Sequence, residues 1–169
     1  MEELRKRKKI RLSNADYNRI GVYFLTICTS ERKCILSNVV EKENTDIYKV
    51  ELTRYGEVVD KKIREISDFY DNISIEHYVV MPNHVHLLLY IKKDENGPSG
   101  TPVPTTQNSV VSRFLSTLKR FCNKEIGENI WQYRSYDHII RNSKDYEEHV
   151  KYIYENPTNW YYDELYSEN

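Results

Sequence analysis

Tyr78-Val79-Val80-Met81-Pro82-Asn83-His84-Val85-His86-Leu87-Leu88-Leu89-Tyr90-Ile91 reads as two β-rich apolar runs joined by a Pro-Asn turn. Just after the turn, His84 and His86 stand two residues apart in a segment that otherwise has the composition of a buried strand. Side chains alternate between the faces of a strand, so both imidazoles leave one face while Val85 leaves the other. Two neighbouring imidazoles on one face suggest a metal site, because neutral imidazole is a common ligand of divalent ions. A pair of hydrogen-bonded core histidines is the competing reading, and for an isolated histidine it would be the better one. Two in phase, in a run otherwise made of Val and Leu, favour ligands. His-x-His by itself does not distinguish between unrelated metalloenzyme folds.

Outward from this pair, Ile73 to Val80 is expected as a central strand, with His84 to Ile91 returning antiparallel beside it. Gly21 to Thr29 is a second central strand, apolar on both faces. Ile35 to Val40 and Ile47 to Leu52 make a peripheral hairpin. Thr53 caps a helix to about Tyr70, and its Tyr55, Val59, Ile63 and Ile66 share one side. Ser109 to Ile126 is a second helix, ended by Gly127. Residues 92–108 hold three of the five prolines and two of the five glycines, the composition of a mobile loop. Tyr136 to Ile140 is an edge strand. The last helix starts near Asn142 or Ser143 and ends at about Glu155, before Pro157. On its wheel, at roughly 100° per residue, Tyr146, Val150 and Ile153 form the buried side, with Tyr154 at the margin. Asp145, His149, Tyr152 and Asn156 line another side.

The 169 residues fit one domain with a full core and are too few for a typical (β/α)8 barrel. No run is long and apolar enough for a membrane span, and the charged start lacks the apolar centre of a signal peptide. A cytoplasmic location, at the nucleoid when DNA is bound, follows as an expectation. Three cysteines without a Cys-x-x-Cys pair fit reduced structural thiols. The net charge of −1 hides a basic arm within residues 1–13, formed by Arg5, Lys6, Arg7, Lys8, Lys9 and Arg11. The arm fits a nucleic-acid footprint and equally a solvated tail. Arg113, Arg120 and Lys124 form a second basic stripe along the Ser109 to Ile126 helix, suited to phosphates or simply to solvent.

An ion held by two imidazoles and a side-chain oxygen could polarise a phosphodiester while a nearby phenol attacks the phosphorus. Tyr152 and Asn156, one helical turn apart, can supply phenol and oxygen together. In combination, Tyr23-Phe24-Leu25-Thr26-Ile27-Cys28-Thr29, Val79 to His86, Trp131-Gln132, Asp137 to Asn142 and Tyr152-Ile153-Tyr154-Glu155-Asn156-Pro157 resemble the single-tyrosine HUH transposases. The match is to the REP-associated tyrosine transposases and their IS200-like relatives, and it runs over most of the chain. The resemblance implies an α+β, ferredoxin-like antiparallel sheet with helices packed on it. It also implies metal-dependent cleavage and rejoining of single-stranded, hairpin-containing DNA through a transient 5′-phosphotyrosine. His84, His86 and Asn156 then correspond to the ligands of Mg2+ or Mn2+, and Tyr152 to the nucleophile. Some group must help remove the phenol proton, whose ordinary pKa is about 10; His149 is a candidate, with packing its simpler role. The resemblance leaves the oligomeric state open, since insertion-sequence relatives are typically dimers while REP-associated members can be monomeric; a homodimer is compatible with it. The alternatives are a non-catalytic single-strand-binding domain on the same fold, and a small metal-dependent hydrolase in which Tyr152 is incidental.

Overall fold

The computed structural model describes residues 20–43, 45, 47–92 and 109–167. Both the basic arm and most of the 92–108 loop therefore lie outside the described residues. A four-stranded antiparallel sheet holds β1 (Gly21–Cys28), β4 (Ile73–Val80), β5 (His84–Ile91) and β6 (Tyr136–Ile139) in the order β4-β5-β1-β6. A separate hairpin pairs β2 (Ser37–Glu41) with β3 (Tyr48–Leu52). The helices are α1 (Arg54–Glu65), α2 (Val110–Ile126) and α3 (Ser143–Glu155). Leaving the hairpin aside, the chain runs β-α-β-β-α-β, the ferredoxin-like order, and α3 follows it.

The alternation of β5 builds two cores. Val85, Leu87 and Leu89 point to one face, where they meet Tyr23, Leu25 and Ile27 of β1, Val59 and Ile63 of α1, and Phe114 and Leu118 of α2. Leu88 points to the other face and joins Phe24, Val79, Met81, Ile153 of α3 and Trp160. His84 and His86 share that second face by their phase, so α3 lies over the histidine side of the sheet.

Two expectations are corrected. β4 is an edge strand, not a central one: Glu76 is exposed in its middle, and the ladder to β5 slips between Ile75 and Tyr78. A bulge and an outward charge are devices that blunt an edge. The α1 helix stops at Glu65, and the chain continues as a 3-10 turn over Ile66–Phe69. Thr53 caps α1 by accepting from the Gly56 N–H, and Gly127 closes α2 with φ of 93°, in the region glycine adopts without strain. The three cysteines are free. No described helix is long and apolar enough to cross a membrane.

Candidate metal and tyrosine site

The Pro-Asn turn positions the first histidine. Asn83 is buried and donates through Nδ2 to the carbonyls of Leu165 (2.8 Å) and Arg32 (3.3 Å). Its Oδ1 therefore faces His84 Nδ1, 2.7 Å away, and can only accept. That places the His84 proton on Nδ1 and leaves Nε2 with a lone pair. His86 lies opposite Thr26 in the β1–β5 register, and its Nδ1 is 2.8 Å from Thr26 Oγ1. With Nδ1–H donating to that hydroxyl, Nε2 of His86 is also bare. The two rings lie with centroids 4.4 Å apart. Hydrogen bonds from the distal ring nitrogen that fix tautomer and orientation are the usual support of a metal-ligating histidine.

Both Nε2 atoms are buried without a hydrogen-bond partner, and so is Asn156 Oδ1. Orphaned buried polar atoms are costly and rare, so three in one place suggest that a partner from outside the chain satisfies them. Burial pushes His84 down to about 4, and pushes His86 well below the usual histidine range with help from His84 and His149. Both imidazoles are thus neutral at pH 7, as ligands must be.

Asn156 follows α3, with Tyr152 one turn earlier. The Asn156 side chain faces His84, while its Nδ2 donates to Asp163 Oδ2 at 2.9 Å. Tyr152 donates its hydroxyl to the same Oδ2 at 3.1 Å, and its ring stands 5.1 Å from His86. It is 43% exposed. Burial, followed by the Asp163 charge, pushes its phenol up to about 12. Asp163 itself offers a carboxylate oxygen within 4.8 Å of the ligand nitrogens of His84 and His86. Sequence reasoning missed this residue.

Phe24, Thr26, His86, His149, Tyr152 and Asp163 line one cleft of about 650 Å³, with Arg32 and Arg134 at its border. Two imidazole nitrogens with the carboxamide oxygen of Asn156 suit a divalent ion. No protein-family model matches the chain. An uncharacterized protein of Haemophilus influenzae is 30% identical over 95% of this chain and 93% of its own length. The REP-associated tyrosine transposase of Escherichia coli K12 is 36% identical across 49% of this chain and 43% of its own length. A putative REP-associated tyrosine transposase of Haemophilus influenzae is 28% identical over 89% of this chain and 77% of its own length. The chain is similar to the REP-associated tyrosine transposases. A solved REP-associated tyrosine transposase bound to a REP hairpin has the same fold. Its TM-score is 0.56 at 24% identity, over 94% of this chain and 74% of that one.

The structure also places the other residues that the sequence singled out. Tyr154 lies two residues from Tyr152 but is 67% exposed, with its hydroxyl 3.1 Å from His77 of β4 and its ring away from the histidine pair. His149 has no hydrogen bond to Tyr152. Its Nδ1 is 2.7 Å from the Asp145 carbonyl, and its ring stacks on His138 and packs on Phe24. Arg113, Arg120 and Lys124 are exposed on α2, on the far side of the sheet from the histidines. Arg120 and Lys124 line a groove of about 810 Å³ with Lys119, Trp131, Gln132 and Tyr133. Gln132 borders both this groove and the cleft, and Tyr133, which lines the groove, is 98% exposed.

Proposed function

We propose that this protein cleaves and rejoins single-stranded DNA beside a hairpin, with Tyr152 as nucleophile and a divalent ion, Mg2+ or Mn2+, bound by His84, His86 and Asn156. The observation that carries the reading is a trio of unpartnered buried atoms, Nε2 of His84 and His86 and Oδ1 of Asn156, beside a cleft that His86 and Tyr152 line, with the Tyr152 and His86 rings 5.1 Å apart. A hairpin as the substrate feature is supported by the relative solved with a REP hairpin.

The bound ion supplies Lewis-acid charge that offsets the negative charge on the scissile phosphate. This chain's residues do the rest. The Pro-Asn turn holds His84 in the tautomer that exposes Nε2, and the Thr26 hydroxyl offers His86 Nδ1 a partner that permits the same tautomer. Phe24 and His149 wall the cleft and keep the Tyr152 ring beside His86. Tyr152 Oη attacks phosphorus in line while its proton passes to water, the bond from phosphorus to O3′ breaks, and the departing O3′ takes up a proton from water to become a free hydroxyl. The product is a 5′-phosphotyrosine ester, which keeps the phosphodiester energy. A 3′-hydroxyl attacking that ester reverses the step and rejoins DNA without a nucleotide cofactor. Arg120, Lys124 and Tyr133 form a surface on which a flanking segment can rest, with phosphates on the cations and a base on the ring.

The test is a denaturing gel of purified protein with 3′-end-labelled single-stranded hairpin DNA, in Mn2+ or EDTA. The expected result is a protease-sensitive adduct with wild type in Mn2+, absent for Tyr152→Phe and His84→Ala. Adduct retained by Tyr152→Phe moves the nucleophile elsewhere. Cleavage without adduct indicates a hydrolase, and binding alone indicates a non-catalytic domain.

A further inference from the structure

We propose that Asp163 is a fourth donor to the ion at His84, His86 and Asn156, and that its carboxylate gives up the Tyr152 hydroxyl when the ion binds. The inference rests on the metal-site reading above. Three features of the site point to it.

The first is charge. Two neutral imidazoles and a carboxamide carry none, and His84, His86 and Asn156 are all buried. Neutral donors replace the ion's water but leave its two positive charges uncompensated in a buried place, a cost that an anionic ligand offsets. Asp163 places a carboxylate oxygen within 4.8 Å of the ligand nitrogens of both histidines. It also gives the donor set a second oxygen, the element that Mg2+ and Mn2+ prefer.

The second is placement. Asp163 is not a residue on a loose tail. It follows the 3-10 turn Trp160–Tyr162, whose Trp160 is buried with its ring 5.9 Å from that of His84. Asp163 Oδ1 accepts the Leu165 N–H at 2.7 Å, and the Leu165 carbonyl is held by Asn83. The residue that sets the His84 tautomer and the backbone that carries Asp163 are thus tied together.

The third is the way its other oxygen is used. Oδ2 accepts from both Asn156 Nδ2 and the Tyr152 hydroxyl. The bond from Asn156 turns the amide so that its Oδ1 is left on the other side, unpartnered. Reversing the amide would set a carbonyl oxygen against a carboxylate, so Asp163 also orients a ligand. The hydroxyl and the ion draw on the same carboxylate, and one weakens the hold of the other. Once the ion takes up the carboxylate charge, the phenol oxygen is free to turn toward a phosphate.

The test is Mn2+ affinity by isothermal titration on the full chain without DNA. It compares wild type, Asp163→Asn, Asp163→Glu, Tyr152→Phe and His84→Ala, with thermal melting in EDTA to verify that each is folded. Asp163→Asn is isosteric and keeps an acceptor for the Leu165 N–H; it is expected to weaken Mn2+ at least tenfold, with Asp163→Glu recovering part of the loss. Tyr152→Phe removes the competing donor and is expected to bind Mn2+ more tightly than wild type. If Asp163→Asn binds within twofold of wild type while His84→Ala does not bind, Asp163 only positions its neighbours and the proposal fails. Weaker binding in Tyr152→Phe overturns the exchange. Wild type that binds no Mn2+ overturns the metal-site reading beneath both.

Discussion

Asn83 acts on the site through His84 and through the backbone next to Asp163, whose Leu165 carbonyl it holds. Its two donated bonds leave its oxygen no choice but to accept the His84 Nδ1–H, so the free lone pair on Nε2 is set by a residue that cannot reach the ion. Asn83→Ala strands that N–H in a fully buried position, which costs about 1–3 kcal/mol, and releases the ring to the other tautomer. Removal of such a supporting bond lowers metal affinity by roughly 10–100-fold. Asn83→Asp keeps the acceptor for His84 but sets a buried carboxylate against the Leu165 and Arg32 carbonyls, so it should hold Mn2+ better than Asn83→Ala while unfolding at lower urea than wild type. Mn2+ titration and urea denaturation of the two variants check this, and unchanged Mn2+ affinity in Asn83→Ala would mean the tautomer is fixed some other way. The histidine pair was legible in the sequence because a period of two needs no tertiary information. Asp163 was not, because its place depends on a 3-10 turn that brings the chain back over the site. Nothing periodic marks such a return.

At the scale of elements, helices and strands followed from their periodicities to within a few residues. The edge position of β4 did not. Ile73-Ser74-Ile75 and Tyr78-Val79-Val80 have the composition of a central strand, and the outward Glu76 between them was the available signal. Seating α1 depends on a close approach that composition also fails to announce. A Cβ on Gly56 would lie 1.9 Å from the Leu36 carbonyl oxygen, which is backbone and cannot swing aside. Gly56 has an ordinary helical conformation, so the constraint here is space. Gly56→Ala should therefore lever the first turn of α1 away from the chain entering β2, despite the better helix propensity of alanine. The expected loss is about 3 kcal/mol, the upper part of the range for overpacking, read from the urea midpoint. A stabilised variant would show that this contact is looser than described. Since α1 lies across the sheet from α3, the DNA adduct should survive in the fraction that stays folded.

The molecule as a whole stores the two histidines in their neutral form between sheet and α3, which makes its stability depend on pH in a definite direction. A histidine in the unfolded chain takes up a proton below its ordinary pKa, near 6.5, while native His84 resists until about 4. The unfolded state then binds more protons, so stability present above pH 6.5 is lost as pH falls toward 4. Each histidine contributes a slope of up to about 1.4 kcal/mol per pH unit, and His84 alone sums to about 3 kcal/mol across the window. His86, shifted the same way by its burial, adds to the fall. Glu125 and Asp145, held below their ordinary carboxylate values of 4.5 and 3.8, lose their contributions mainly at the acid end of this window and beyond it. Urea melts in EDTA at pH 7.0, 5.5 and 4.5 should show the decline, and His84→Gln, which has no proton to gain, should flatten it. With saturating Mn2+ the decline should steepen, because protons and ion compete for the same Nε2 lone pairs and the ion's stabilisation disappears as the rings charge. A flat profile between pH 6.5 and 5, with or without Mn2+, would mean that the imidazoles are more open to water than their packing under α3 allows.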